Sequence, residues 1–253
     1  MLKSTLLYSA LAAGQANAGD GFVDAFKALE TSRWYVAEYD FDHPSFDTDW
    51  RRKNVVLKQG AGASTVNLLL RPHQDGPNRF AGASIRTHAP MHYGYYEATF
   101  KAARGSGLVT GFFIYSGPHY GTRHDEIDIE ILGRDTTKLH AAWFVDGVLK
   151  ERDIQLGFDA AQGFNTFGFH WLPDRIIWSV NGIDVFEVIN QESALPVIPG
   201  RLFANLWAAD KSISDWAGNA SPAQTGNAVF QSIRFIPFTD LNAKDIFPAA
   251  LKP

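Results

Sequence analysis

His124-Asp125-Glu126-Ile127-Asp128-Ile129-Glu130-Ile131-Leu132-Gly133 is the stretch on which the fold turns. Glu126, Asp128 and Glu130 alternate with Ile127, Ile129 and Ile131 without a break. Side chains along a strand repeat every second residue, so the three acids share one face and the three isoleucines the other. A helix would scatter the acids around its circumference. The β-branched isoleucines suit a pleated surface, and the segment is predicted to be a strand with one buried and one open face.

Three carboxylates on one face repel one another. Like charges raise each other's pKa, so at least one of the three is expected to hold a proton near neutrality. A solvated surface strand or an acidic calcium site is compatible with alternating acids. An enzyme, however, gains from the pattern what a scaffold does not: one ionised and one protonated carboxyl side by side. Glycoside hydrolysis uses such a pair, one group attacking or stabilising the sugar cation and the other protonating the leaving oxygen.

Outward from this strand the chain reads as short apolar runs broken by Gly and Pro. Leu108–Tyr115 precedes it, a buried type of strand, and Gly117-Pro118 and Gly121 make the turn between them. Leu139–Val145, Asp146-Gly147 and Val148–Ile154 form a predicted hairpin, and Asn181-Gly182 between Ile176–Val180 and Ile183–Val188 forms another. Further strands are expected at Val55–Leu57, Val66–Leu70, Ser84–Thr87, His92–Ala102, Phe164–Trp171, Leu202–Trp207 and Val229–Phe235. Glu38–Asp49 and Pro72–Asn78 read as loops. With almost no helical periodicity, the fold is all-β, an antiparallel sandwich or barrel in one domain.

The 253 residues, 45% hydrophobic and 20% charged, are enough for one large core. A net charge of −4 and a pI near 6.0 argue against a nucleic-acid partner. Seven Trp, eight Tyr and nineteen Phe exceed what a core alone requires and suit a sugar-stacking cleft. Met1-Leu2-Lys3, the apolar run Leu6–Ala13 and Ala16-Asn17-Ala18 fit a signal peptide cleaved after Ala18, too short to span a membrane. Export to the periplasm or the medium is therefore expected, with no membrane span. Cysteine is absent, so stability must come from the core. Residues 19–240 are expected to form the catalytic domain and 241–253 a peripheral tail.

At the acidic strand the chain resembles glycoside hydrolase family 16, whose uninterrupted signature is Glu-x-Asp-x-Glu. Within that family it is most similar to the bacterial lichenases, endo-β-1,3-1,4-glucanases. Tyr93-Gly94-Tyr95-Tyr96-Glu97, Phe112-Phe113-x-Tyr115-x-Gly117-Pro118, Leu132-Gly133-x-Asp135-Thr136-Thr137-Lys138, Asn205-Leu206-Trp207 and Asp215-Trp216-x-Gly218 follow the same pattern. The resemblance covers about residues 20–238. It implies a β-jelly-roll sandwich of two curved antiparallel sheets, lectin-like, with the acidic strand lining the concave face. It also implies retaining cleavage, with Glu126 as nucleophile, Glu130 as general acid/base and Asp128 as the group that tunes both. Arg86, Phe113, Tyr115, Asn205, Trp207 and Trp216 fall where the family binds sugar. The implied partner is a polysaccharide, a β-glucan, acted on by a monomer. No cofactor or catalytic metal is implied, although a structural calcium is common among relatives.

Retaining cleavage needs carboxyl groups about 5–5.5 Å apart, whereas residues four apart on a flat strand are separated by roughly 13 Å. The Glu side chains must lean together across a curved strand. Several positions depart from the lichenase pattern. His124 replaces a Trp, as in plant xyloglucan-active relatives, and is placed to contact sugar or tune Glu126. Ser84 replaces a Glu, Ala142 and Phe144 replace an Asn and a Tyr of the cleft, and Asp42 lies near an Asn position. Gly82 and Thr48 lie near the places of a cysteine pair that often staples the lichenase lid. These changes leave the linkage open, so a bacterial exopolysaccharide depolymerase of the succinoglycan type, or a transglycosylase, stands as the alternative.

Overall fold

A computed structural model of the chain describes residues 20–60 and 62–241. The expected leader ending at Ala18, and all but the first residue of the tail beyond 240, lie outside the described residues. The strands are β1 (Phe22–Asp24), β2 (Trp34–Val36), β3 (Thr48–Trp50), β4 (Val55–Lys58), β5 (Thr65–Pro72), β6 (Phe80–Thr87), β7 (Gly94–Lys101) and β8 (Leu108–Ser116). They continue with β9 (Asp125–Leu132), β10 (Lys138–Val145), β11 (Val148–Gln155), β12 (Asn165–Trp171), β13 (Arg175–Val180), β14 (Ile183–Ile189), β15 (Arg201–Ala208) and β16 (Gly226–Pro237). One four-residue helix, α1 (Ser214–Ala217), interrupts them.

The front layer runs β11-β10-β9-β8-β15-β6, with β2 added at β6. The back layer runs β14-β13-β12-β7-β16-β5, with β4 on β5 and β1 on β16. The layers are joined where Arg71 and Pro72 of β5 pair with Ala81 and Phe80 of β6. This is the antiparallel sandwich expected from the alternating runs, in the two-sheet jelly-roll form that the resemblance implies. β6 begins four residues earlier than its apolar pattern suggested, because Ala81, Gly82 and Ala83 carry too little side chain to show a period.

Ile127, Ile129 and Ile131 are fully buried between the layers, together with Phe112 and Ile114 of β8 and Leu202, Ala204 and Leu206 of β15. Phe167, Phe169, Trp171 and Trp178 meet them from the back layer. Trp178 reaches further: its Nε1 donates to the backbone carbonyl of Asp128 at 2.9 Å, inside the core. The back sheet thereby holds the acidic strand at its midpoint. The hairpin turns have the predicted chemistry, with φ of 50° and 78° at Asp146-Gly147 and 51° and 78° at Asn181-Gly182. Both central residues are left-handed, as a type I′ turn requires.

Thr48 and Gly82 do stand side by side. A Cβ on Gly82 would come within 2.6 Å of both Thr48 Cγ2 and the Leu206 carbonyl oxygen, so a larger residue there would have to displace backbone. In place of a covalent staple, Thr48 Oγ1 donates to the Ala208 carbonyl at 3.0 Å and accepts from the Ala208 amide at 2.8 Å, fully buried. Thr48→Val keeps the shape and removes the acceptor of the Ala208 amide, while the Ala208 carbonyl keeps a second donor in the Asp47 amide at 3.0 Å. The substitution is expected to cost about 1–3 kcal/mol, read as a lower Tm in thermal unfolding followed by circular dichroism.

Candidate active site

Strand register places the front layer's outward side chains in rows that cross the strands. Glu126 lies between Phe144 of β10 and Tyr115 of β8, and Tyr115 is opposite Arg201 of β15. Asp128 lies between Ala142 and Phe113, followed by Phe203 and then Arg86 of β6. Glu130 lies between His140 and Gly111, followed by Asn205 and Ser84. The three carboxylates are thus on one open face, backed by the isoleucines.

Each acid has its own environment. His124 Nε2 donates to Glu126 Oε2 at 2.6 Å, and the imidazole lies flat on Phe144, 4.5 Å between centroids, with Tyr115 edge-on at 5.2 Å. Asp128 is 5% exposed and hydrogen-bonded to Glu126. Burial, then the Glu126 and Glu130 charges and that hydrogen bond, hold its carboxyl well above the usual range. Glu130 is pushed up to about 8, first by burial and then by the charges of Glu126 and Glu151. Asp128 and Glu130, on either side of Ile129, therefore keep their protons at neutral pH.

The other predicted positions divide into two sets. Phe113 is half-buried and stacked parallel on Phe203, with centroids 4.9 Å apart. Arg86 lies across the Tyr35 ring at 4.3 Å. Asn205 is buried, and its Oδ1 has no hydrogen-bond partner. Only a glycine at 111 leaves room for it, since a Cβ there would sit 2.6 Å from that oxygen. Trp207 is only 5% exposed, because Phe46 stacks on it at 4.0 Å and Val109 and Trp50 complete a second apolar cluster. Trp216 of α1, half-buried, lies 6.0 Å from Trp207 and edge-on to His140 at 5.4 Å, and its buried Nε1 lacks a partner. The accessible aromatic at this end is therefore Trp216, with Trp207 as its support.

Sequence reading missed His140, Phe203, Arg201, Tyr35 and Tyr120, all of which border this face. Arg201 and Phe203 carried a signal, since they continue the alternation of Asn205 and Trp207. His140 Nδ1 hydrogen-bonds Asp153 at 2.8 Å and its Nε2 lies 3.4 Å from Glu151, both on β11. Among the described residues no cluster of three or more His, Cys, Asp or Glu side chains is arranged to hold a metal ion. Nor, among them, is any helix long and apolar enough to cross a membrane.

Residues 42–227 match the profile of Glycosyl hydrolases family 16. A beta-glucanase of Paenibacillus macerans is 33% identical over 92% of this chain and 95% of its own length. One from Bacillus subtilis is 32% identical over 90% and 91%. Among solved structures, a β-1,3-1,4-glucanase (lichenase) from a mouse hindgut metagenome has a TM-score of 0.80 at 30% identity, covering 86% of this chain and 99% of that one. The Bacillus licheniformis beta-glucanase has a TM-score of 0.76 at 32% identity, covering 86% and 98%. Profile, relatives and two-layer architecture agree across most of the described chain, which belongs to the glycosyl hydrolases of family 16.

Proposed function

We propose that the protein is an exported retaining endo-β-glucanase that cleaves internal linkages of a β-1,3-1,4-glucan or a related polysaccharide. The observation that carries this reading is the split among the three acids, with Glu126 oriented by a histidine and Glu130 protonated up to about pH 8. In the first displacement the Glu126 carboxylate bonds to the anomeric carbon. Glu130 gives its proton to the departing glycosidic oxygen, so the aglycone leaves neutral. In the second, Glu130, now a carboxylate, takes a proton from water as the water oxygen attacks the same carbon and releases Glu126. Asp128, buried and protonated, donates to Glu126 and limits its negative charge until the sugar arrives.

The unpartnered Asn205 Oδ1 and Trp216 Nε1 support sugar binding, since buried polar atoms normally find a partner and glucose hydroxyls would supply one. Phe113, Tyr115 and Trp216 offer apolar surface to pyranose faces. Export rests on the basic start, apolar run and Ala16-Asn17-Ala18 end of the N-terminus. Reducing-end release from barley β-glucan and lichenan, compared with laminarin and xyloglucan, tests the substrate. Release without an added acceptor sugar separates hydrolysis from transglycosylation, and a panel with no cleavage refutes the proposal.

His124→Phe keeps a ring on Phe144 and removes the hydrogen bond to Glu126. We expect kcat to fall about 10- to 100-fold from loss of orientation, with KM little changed. Steady-state kinetics on lichenan checks this, and an unchanged kcat would remove His124 from the positioning of the nucleophile.

A further inference from the structure

The front layer's open face is electrically lopsided. Toward β11 it carries Glu151 and Asp153, in the rows of Asp128 and Glu130. Toward β15 and β6 it carries Arg201 and Arg86, in the rows of Glu126 and Asp128. Both guanidinium groups lie over one ring, that of Tyr120, at 3.9 Å for Arg201 and 5.6 Å for Arg86. Arg86 also lies over Tyr35. Each donates one hydrogen bond to a backbone carbonyl, Arg201 to His88 and Arg86 to Thr87. Among the described residues neither forms an ion pair; Arg33, Arg71 and Arg234 also lack one, but only Arg86 and Arg201 are gathered over one ring on this face.

Two half-buried cations side by side without a counter-ion are costly, and more so in a chain of net charge −4 that has acids to spare. The like charge of Arg86, after burial, holds Arg201 below the usual guanidinium range. Tyrosine faces offset part of that cost by cation–π attraction. A planar fork with free N–H groups matches a carboxylate in a bidentate contact. Tyr39 and Tyr120 beside them keep their hydroxyl protons, Tyr39 up to about 12 chiefly through burial, and so remain donors to an anion.

We propose that Arg201 and Arg86 form a subsite for a carboxylate carried by the glycan, so that the preferred substrate is an acidic, carboxylate-bearing β-glucan and not a neutral one. The subsite lies on the β15–β6 side of the acids, beyond the sugar that is cleaved. Glu151 and Asp153 repel the same charge from the other side and so set the direction in which the chain lies. This inference rests on the glucanase reading above and specifies its substrate class.

Lichenan and two derivatives of it test the proposal, one sparsely oxidised at C6 to uronate and one sparsely converted to the succinate half-ester. The two derivatives distinguish a carboxylate on the sugar ring from one on a substituent. At low salt, kcat/KM on at least one derivative is expected to exceed that on the parent by about tenfold, and the advantage should shrink at high salt. Arg201→Gln should abolish the ratio and Arg201→Lys should restore part of it, with circular dichroism showing that each variant is folded. Equal or better cleavage of the neutral parent would overturn the inference and leave the glucanase reading intact. If none of the three is cleaved, that reading fails. Calorimetric titration of the Glu126→Gln protein with uronate-bearing and neutral oligosaccharides then decides the subsite on its own: tighter binding of the uronate upholds it, and equal binding refutes it.

Discussion

Azide added to the Glu126→Ala protein is expected to restore cleavage and to yield a glycosyl azide of inverted configuration. Without azide, turnover should fall by about 10⁴-fold, because no side chain remains to bond to the anomeric carbon. The emptied space admits a small anion from the same side, and a single displacement inverts. Azide added to the Glu130→Ala protein should instead give a product of retained configuration. There Glu126 still forms the covalent intermediate, and azide resolves it without needing a general base. Proton NMR of the products, on substrates with a good leaving group, reads both outcomes. The reverse pair of configurations would exchange the roles of Glu126 and Glu130.

The same acids make a prediction about stability. A carboxyl in the unfolded chain titrates near 4.3, roughly, whereas Glu130 in the folded protein titrates at about 8. The folded state binds this proton more tightly, so Glu130's contribution is fully present below the unfolded pKa and is lost as pH rises through 8. Glu130→Gln keeps the shape and removes the titration. It should therefore raise stability at pH 7–8 and have little effect near pH 4. We expect a gain of about 1–2 kcal/mol at neutral pH, roughly 3–6 °C in Tm, after allowing for the partial exposure of the side chain. Catalysis should be lost in the same variant. In the parent protein, kcat/KM should fall on the alkaline side as Glu130 deprotonates near 8. A variant no more stable at pH 8 than the parent would mean that burial does not hold this proton in place.

The strand carrying the acids could be read from the sequence because its information is local. A period of two, β-branched neighbours and a closing glycine suffice, and so do the Asp146-Gly147 and Asn181-Gly182 turns. What could not be read is which side chains face the acids. β8 pairs with β15 and β15 with β6, between partners far apart in the chain, and no local pattern states that Arg201 will lie opposite Tyr115. Short pieces such as β1, β2 and β3 were lost for a related reason, since three residues show no period and each is held by the strand it joins. Trp207 illustrates a further limit. Its place in the motif suggested an exposed sugar platform, and only the packing of Phe46 from a distant loop shows that it is covered. Asp125 was passed over beside three more conspicuous acids. It is buried and accepts from the amides of Asp146, Val197 and Ile198, tying together segments that are adjacent only after folding.

Rows that cross the sheet also distribute inheritance. The acids proposed to break the bond all ride on β9, while the residues that would meet the rest of the polymer come one or two at a time from β6, β8, β10, β11 and β15. A substitution at one outward position of those strands alters a single patch of the groove and leaves the isoleucine side of β9 undisturbed. A lineage on this scaffold can therefore change its diet by single steps, each of which still folds and still hydrolyses.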